Sequence, residues 1–267
     1  MTSLAHYRCV MPFSPWLDRG RELREAFLGA DPFPHVVLDH FLEDERASAL
    51  LGEFPAVEQM PRSRDYVFGN KHELSSVERA GPAGAEFAAA VLASEFSSFL
   101  ADVSGFEVFV DPSFHGGGFH QGADGSYLDL HVDFNIHPLQ PDWLRTLNVL
   151  LYLTPDWRPE YGGQLLLKRR PSDPPREVWP AFNRAVIMLT SDDTYHGYGR
   201  MSLPAGVTRK SIATYAYRHL DGTQVRARTT GWAPEDAGLA KRLLARNYDR
   251  LVRWKGRFLG SGTARNR

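Results

Sequence analysis

The chain has 267 residues, 43% of them hydrophobic, enough to bury a sizeable core in one large β-rich domain or two small ones. Its 31 basic and 32 acidic side chains nearly cancel, which argues against a global field that recruits nucleic acid or an anionic membrane. A single cysteine, Cys9, excludes an intrachain disulfide framework and a Cys-rich zinc site, so any metal falls to His and carboxylate ligands.

The opening MTSLAHYRCVMPFSPW has no basic region leading into an apolar one, and a run of about 18 apolar residues occurs nowhere. The expected location is the cytoplasm. PFPHVVLDHFL (32–42) predicts a strand entering a turn, and EDERASALLGEF (43–54) a helix with an acidic first turn. AGAEFAAAVLASEFSSFLADV (83–103) predicts one Ala- and Phe-rich helix suited to packing on a sheet. From 106 to 219 short strands alternate with Gly, Pro and Asp turns, the pattern of a sandwich or barrel. No repeat or low-complexity linker intervenes. The expectation is one domain, with cladding over 1–105, a β core over 106–219 and an extension over 220–267. In that extension, residues 234–260 predict a helix with Leu239, Leu243, Tyr248, Leu251 and Val252 along the stripe that packs on the core.

Within the core, YLDLHVDFNI (127–136) alternates strictly. Leu128, Leu130, Val132, Phe134 and Ile136 share one face; Tyr127, Asp129, His131, Asp133 and Asn135 share the other. A polar row of this kind faces either water or a cavity inside a barrel. RTLNVLLYLT and TRKSIATYAY carry polar rows too, Thr146, Asn148, Tyr152 and Thr154 on one, Arg209, Ser211 and Tyr215 on the other. A shared polar interior accounts for all three together, with Asp129 and Asn135 lining the cavity or its rim.

His131 and Asp133, two apart, project the same way and can hold one ion, and a third ligand from a distant strand would complete the two-His-one-carboxylate set of non-haem Fe(II) enzymes. The pair alone is weak, because 10 histidines and 32 acids give roughly one chance match in a chain of this length. A second match, HLD at 219–221, runs straight into a DGT turn and reads as a decoy. His137 precedes Pro138 and reads as a loop histidine. His196, presented by the polar turn after the apolar strand 185–190, is the candidate third ligand. Arg209 in a barrel interior needs an anion, either a nearby carboxylate or a ligand.

HVD (131–133), LNVLLYLTPDW (147–157), EYGGQLLL (160–167), YHGYG (195–199) and RKSIATYAY (209–217) together resemble the Fe(II)/2-oxoglutarate-dependent dioxygenases of prolyl 4-hydroxylase type. The resemblance implies a mostly β fold with flanking helices, its core a double-stranded β-helix or jelly roll. It implies Fe(II) on His131, Asp133 and His196, with 2-oxoglutarate held by Arg209, Ser211, Tyr152 and Asn148, and O2 as oxidant. Ascorbate is the expected reductant in vitro. Relatives place a tyrosine about ten residues before the first ligand; FHQGADGSY stands here instead, so His120 or Gln121 takes that role, with Tyr127 and Asn135 also facing substrate. The expected activity is hydroxylation of an unactivated C–H, releasing succinate and CO2. Desaturation, cyclisation or epimerisation use the same ligands, and a non-catalytic metal-containing jelly roll is the remaining alternative. The expected substrate is a small molecule or amino acid, with a peptide also compatible. Neither nucleic acid nor membrane is expected as a partner, and oligomeric state is open.

Overall fold

The computed structural model describes residues 13, 16–61, 67–222, 225–235 and 238–248. Two antiparallel sheets face each other. The larger runs in the order β1 (His35–Leu38), β10 (Arg184–Leu189), β7 (Gln140–Tyr152), β12 (Arg209–His219), β4 (Gly118–Gly122) and β2 (His72–Leu74). β3 (Phe109–Val110) joins β12, and β6 (Ile136–His137) joins β7. The smaller runs β13 (Gly231–Trp232), β5 (Leu128–Val132), β11 (Tyr195–Tyr198), β8 (Leu165–Lys168) and β9 (Arg176–Val178). Neighbours distant in sequence, closed over a common interior, make the jelly roll that the family resemblance implies.

Alternation divides the larger sheet into two chemistries. Leu147, Val149, Leu151, Ile187 and Ile212 face outward into an aromatic core built with Phe27, Phe96 and Phe99. These come from α1 (Gly20–Leu28) and α4 (Ser94–Ser104). The inner face carries Val186, Met188 and Tyr152, which pack against Leu165 and Leu167 of the smaller sheet. Helix α2 (Asp44–Gly52) lies where the acidic first turn predicted it, carrying Asp44 and Glu45 there. The helix expected over 83–103 is two helices, α3 (Pro82–Leu92) and α4, bent by 55°. Ala93 between them takes an extended backbone (ψ 151°), and the bend lets Phe87 and Val91 of α3 and Phe99 of α4 reach one core.

Three further expectations are corrected. The run 127–136 is not one strand. β5 ends at Val132, Asp133 to Asn135 leave it, and β6 joins the other sheet. Nor does β5 alternate throughout: His131 pairs with His196 and Leu128 with Tyr198, so a bulge puts three steps against two. Leu128 therefore lines the interior, while Asp129 turns outward to Lys241. The C-terminal helix (239–248) is rotated from its expected stripe. Leu239 and Leu243 are 80% and 57% exposed, whereas Ala245 is buried and Leu244 and Tyr248 pack on Phe68 and Trp232. Those two rings, invisible to helical periodicity, set the contact face; Leu251 and Val252 lie outside the described residues.

The glycine run 116–118 reflects close backbone approach. Gly118 has φ +87°, and a Cβ there would lie 2.3 Å from Leu74 O. β2 is thereby pressed onto β4 at the mouth of the interior.

Candidate active site

His131 on β5 and His196 on β11 are direct cross-strand partners, their rings 4.3 Å apart. His196 thus sits within a strand, as the family resemblance implies for it, and not in the polar turn that the local sequence suggested. Gly197 beside it makes the approach possible, since a Cβ would meet Leu128 O at 2.6 Å. Asp133, just past the end of β5, places Oδ1 3.7 Å from His131 Nε2 and Oδ2 3.4 Å from His196 Nε2. The three ligand atoms lie within 4.8 Å of one another, all in buried residues.

Each imidazole has its Nδ1 on a backbone carbonyl two residues earlier, Asp129 O at 2.9 Å and Thr194 O at 3.3 Å. Donating there leaves each Nε2 lone pair aimed at the centre. Burial first, then His196, pushes His131 down to about 3; burial also lowers His196. For Asp133, burial would raise the carboxyl, but Arg145 and the two imidazoles outweigh it and hold it well below the usual carboxylate range. Three acceptors thus converge with no proton between them, which fits a divalent cation and little else.

Around the carboxylate, Asn148 donates to Asp133 Oδ2 at 2.7 Å, and the Arg145 guanidinium contacts the same oxygen at 3.0 Å. Arg145 also donates to Asn148 Oδ1 at 2.9 Å and stacks 3.4 Å from the centroid of the Tyr215 ring. Asn148 lines the chamber as expected, with one amide N–H given to Asp133 and its oxygen taken by Arg145. Arg228 donates to the Asp133 carbonyl at 2.6 Å, and the Trp232 ring lies 4.8 Å from that of His131.

Across the same chamber, of about 180 Å³, stands a second guanidinium. Arg209, 7% exposed, donates Nε to Gly163 O at 2.9 Å and Nη2 to the Tyr152 hydroxyl at 3.3 Å, beneath the Tyr198 ring. Among the described residues no carboxylate pairs with it. Ser211, opposite Tyr152, lines the chamber beside it, and burial keeps the Tyr152 phenol protonated by raising its pKa.

The substrate-side expectations divide. His120 lines the chamber, against Lys71. Gln121 contributes to the lining, but its amide donates to Thr208 and its β12 partner is Lys210, on the other face. Tyr127 stays outside, its ring covered by Arg200 and Lys241. Asn135 stays outside as well, bonded to Arg226 O and Arg228 N, because the chain leaves β5 before reaching it. His137 is buried in β6 near Asp111, not in a loop. The decoy is one: His219 is exposed and meets Asp142.

Arg145, Trp232 and Arg228 were not legible as site residues, whereas Lys71 and Glu73 fall in DYVFGNKHELSS (65–76), a segment whose sequence suggests a substrate-facing loop. Strict alternation puts Arg145 on the apolar face with Leu147. A bulge, Ala216 opposite Leu147 but Tyr217 opposite Arg145, turns it inward.

Residues 117–217 match the sequence profile of the 2OG-Fe(II) oxygenase superfamily. No curated protein sequence matches the chain significantly. Among solved structures, a prolyl-4-hydroxylase from Pseudomonas putida aligns with a TM-score of 0.55 at 19% identity, over 75% of this chain and 99% of that one. A prolyl hydroxylase from Trichoplax adhaerens, in complex with a hypoxia inducible factor peptide fragment, gives 0.54 at 16%, over 75% and 90%. HygX from Streptomyces hygroscopicus, with nickel, 2-oxoglutarate and hygromycin B bound, gives 0.50 at 16%, over 77% and 90%. The fold is therefore that of the prolyl 4-hydroxylase-like 2OG-Fe(II) oxygenases, and the segment bearing all three converging ligands carries that superfamily's sequence pattern. Residues 117–217 thus carry the sequence pattern of the 2-oxoglutarate-dependent non-haem iron oxygenases on a fold of the same kind.

Proposed function

We propose that this enzyme hydroxylates an unactivated C–H bond of a small molecule, an amino acid or a peptidyl residue, converting 2-oxoglutarate and O2 to succinate and CO2. The observation that carries the reading is Arg209, a buried guanidinium with neutral partners only, in the same chamber as an acceptor triad. Such a charge is costly unless a ligand brings the anion, and a dicarboxylate reaching from the triad supplies it by two parallel hydrogen bonds. His131, Asp133 and His196 would hold Fe(II), which when bound supplies the oxidising chemistry. Ser211 and the Tyr152 hydroxyl would add hydrogen bonds to the carboxylate on Arg209. Asn148 and Arg145 occupy one Asp133 oxygen and so orient the other toward the ion. Trp232 and Tyr215 wall the chamber from water.

Structural neighbours hold either a peptide or hygromycin B, so this fold admits both kinds of substrate. The test is a screen for substrate-stimulated succinate formation with Fe(II), ascorbate and 2-oxoglutarate, read with product mass. A gain of one oxygen supports hydroxylation, and loss of two hydrogens points to desaturation or ring closure. If His131→Ala and Arg209→Ala both turn over like wild type, the reading is wrong.

A further inference from the structure

Resting on the dioxygenase reading, the chamber's mouth carries chemistry that the metal and co-substrate leave unused. Lys71 and Glu73 sit two apart at and on β2, with His72 between them turned away to Met60 O. Lys71 Nζ stands 3.3 Å from Glu73 Oε2 and 3.3 Å from His120 Nδ1, and all three residues line the chamber. Their side chains are only 13%, 28% and 12% exposed. Glu73 and His120 are cross-strand partners, and the Gly118 contact fixes β2 in that register.

We infer that Lys71 and Glu73 form a receptor for the charged head of a free, zwitterionic amino acid, with Lys71 taking its carboxylate and Glu73 its ammonium. The charge count bears against a cationic occupant. Lys71, Arg145 and Arg209 against Glu73 and Asp133 leave the chamber lining with one net positive charge. Fe(II) and doubly ionised 2-oxoglutarate cancel each other, so the loaded chamber stays positive and disfavours a polycation. A peptide segment, whose ends are amides, has no backbone ammonium or carboxylate to exchange with the pair. An adjacent ammonium and carboxylate are replaced pairwise by a zwitterion without leaving either charge unpartnered, the condition for burying such groups. Burial, with Lys71 adding to it, pushes His120 down to about 3, so it stands beside Lys71 as a neutral spacer. The aromatic wall of Phe134, Tyr215 and Trp232 then faces the substrate's hydrocarbon part.

The experiment uses the full chain loaded anaerobically with Mn(II) in place of Fe(II). Calorimetry first measures 2-oxoglutarate binding, then binding of a panel of apolar amino acids as free zwitterions, N-acetyl derivatives and C-terminal amides. The Fe(II) enzyme is assayed for succinate with the same panel. Free amino acids are expected to bind and to stimulate turnover, and capping either end to weaken binding at least about tenfold, the effect of losing one charged partner. Lys71→Met should remove the discrimination against amides, and Glu73→Gln that against N-acetyl compounds. Equal binding of capped and free forms, unchanged discrimination in both variants, or 2-oxoglutarate binding with no response to any panel member overturns the inference. Failure to bind 2-oxoglutarate at all would instead overturn the dioxygenase reading beneath it.

Discussion

Arg145 and Arg209 are both buried, both line one chamber and both lie over tyrosine rings, yet they are satisfied differently. Arg145 has the Asp133 carboxylate at 3.0 Å and the Asn148 amide beside it. Arg209 has a carbonyl, a phenol and an aromatic face, none of them charged. The first belongs to a finished ion pair and serves the metal ligand it touches. Under the proposed function the second is half of a pair whose other half, the co-substrate carboxylate, arrives from solution. Buried charge thus marks architecture in one case and a binding site in the other, and the difference lies in the partner rather than in the arginine.

The comparison breaks most completely at the shared metal centre. Asp133→Ala leaves Arg145 without its anion and the two imidazoles without their carboxylate, so Mn(II) or Fe(II) affinity is expected to fall more than about a hundredfold, beyond the usual effect of losing an outer-shell partner. Equilibrium dialysis measures it, and wild-type affinity would exclude Asp133 as a ligand. Next comes Arg145→Met, which strands a buried carboxylate. It should lower unfolding free energy by about 3–5 kcal/mol in denaturant titrations of the metal-free protein. Arg209→Met should cost the metal-free protein much less, within about 1 kcal/mol of wild type or above it, because no ion pair is broken. The same variant should lose about 3 kcal/mol, roughly a hundredfold, in 2-oxoglutarate affinity, and with it the thermal stabilisation that saturating co-substrate gives the wild type. Equal destabilisation by the two methionine variants would erase the distinction. The smallest effect is at the decoy: His219→Ala removes an exposed contact with Asp142 and a ring stacked 4.8 Å from that of Phe109, and should change stability by less than about 1 kcal/mol.

How far the chain could be read before it was folded follows from the range of each signal. Alternation is a local rule, and it placed Asn148, Tyr152, Arg209 and Ser211 on inward faces because β7 and β12 are regular where those residues sit. It failed at Arg145, Asp129 and Asn135 because a bulge or a strand end intervened, and one extra residue reverses every face beyond it. The convergence of His131 with His196 was legible only through motif order, since no local rule predicts cross-strand register between distant segments. Trp232 comes from a short strand whose partner lies far along the chain, and nothing in its immediate sequence announces the chamber; Lys71 and Glu73 lie in a segment read as substrate-facing, but their place against His120 depends on the distant pairing of β2 with β4. Likewise the break at Ala93 lies inside a stretch of good helix formers, so composition argued for continuity where the backbone turns extended and the two helices part by 55°.

β13 docks on β5 at the edge of the smaller sheet and sets Trp232 between Phe68 and the first histidine. A ribosome releases His131 long before it releases Trp232, so a nascent chain carries both imidazoles while the wall behind one of them is still unmade. The wall behind His131 is accordingly the last part of the chamber lining to be completed, by the arrival of a two-residue strand.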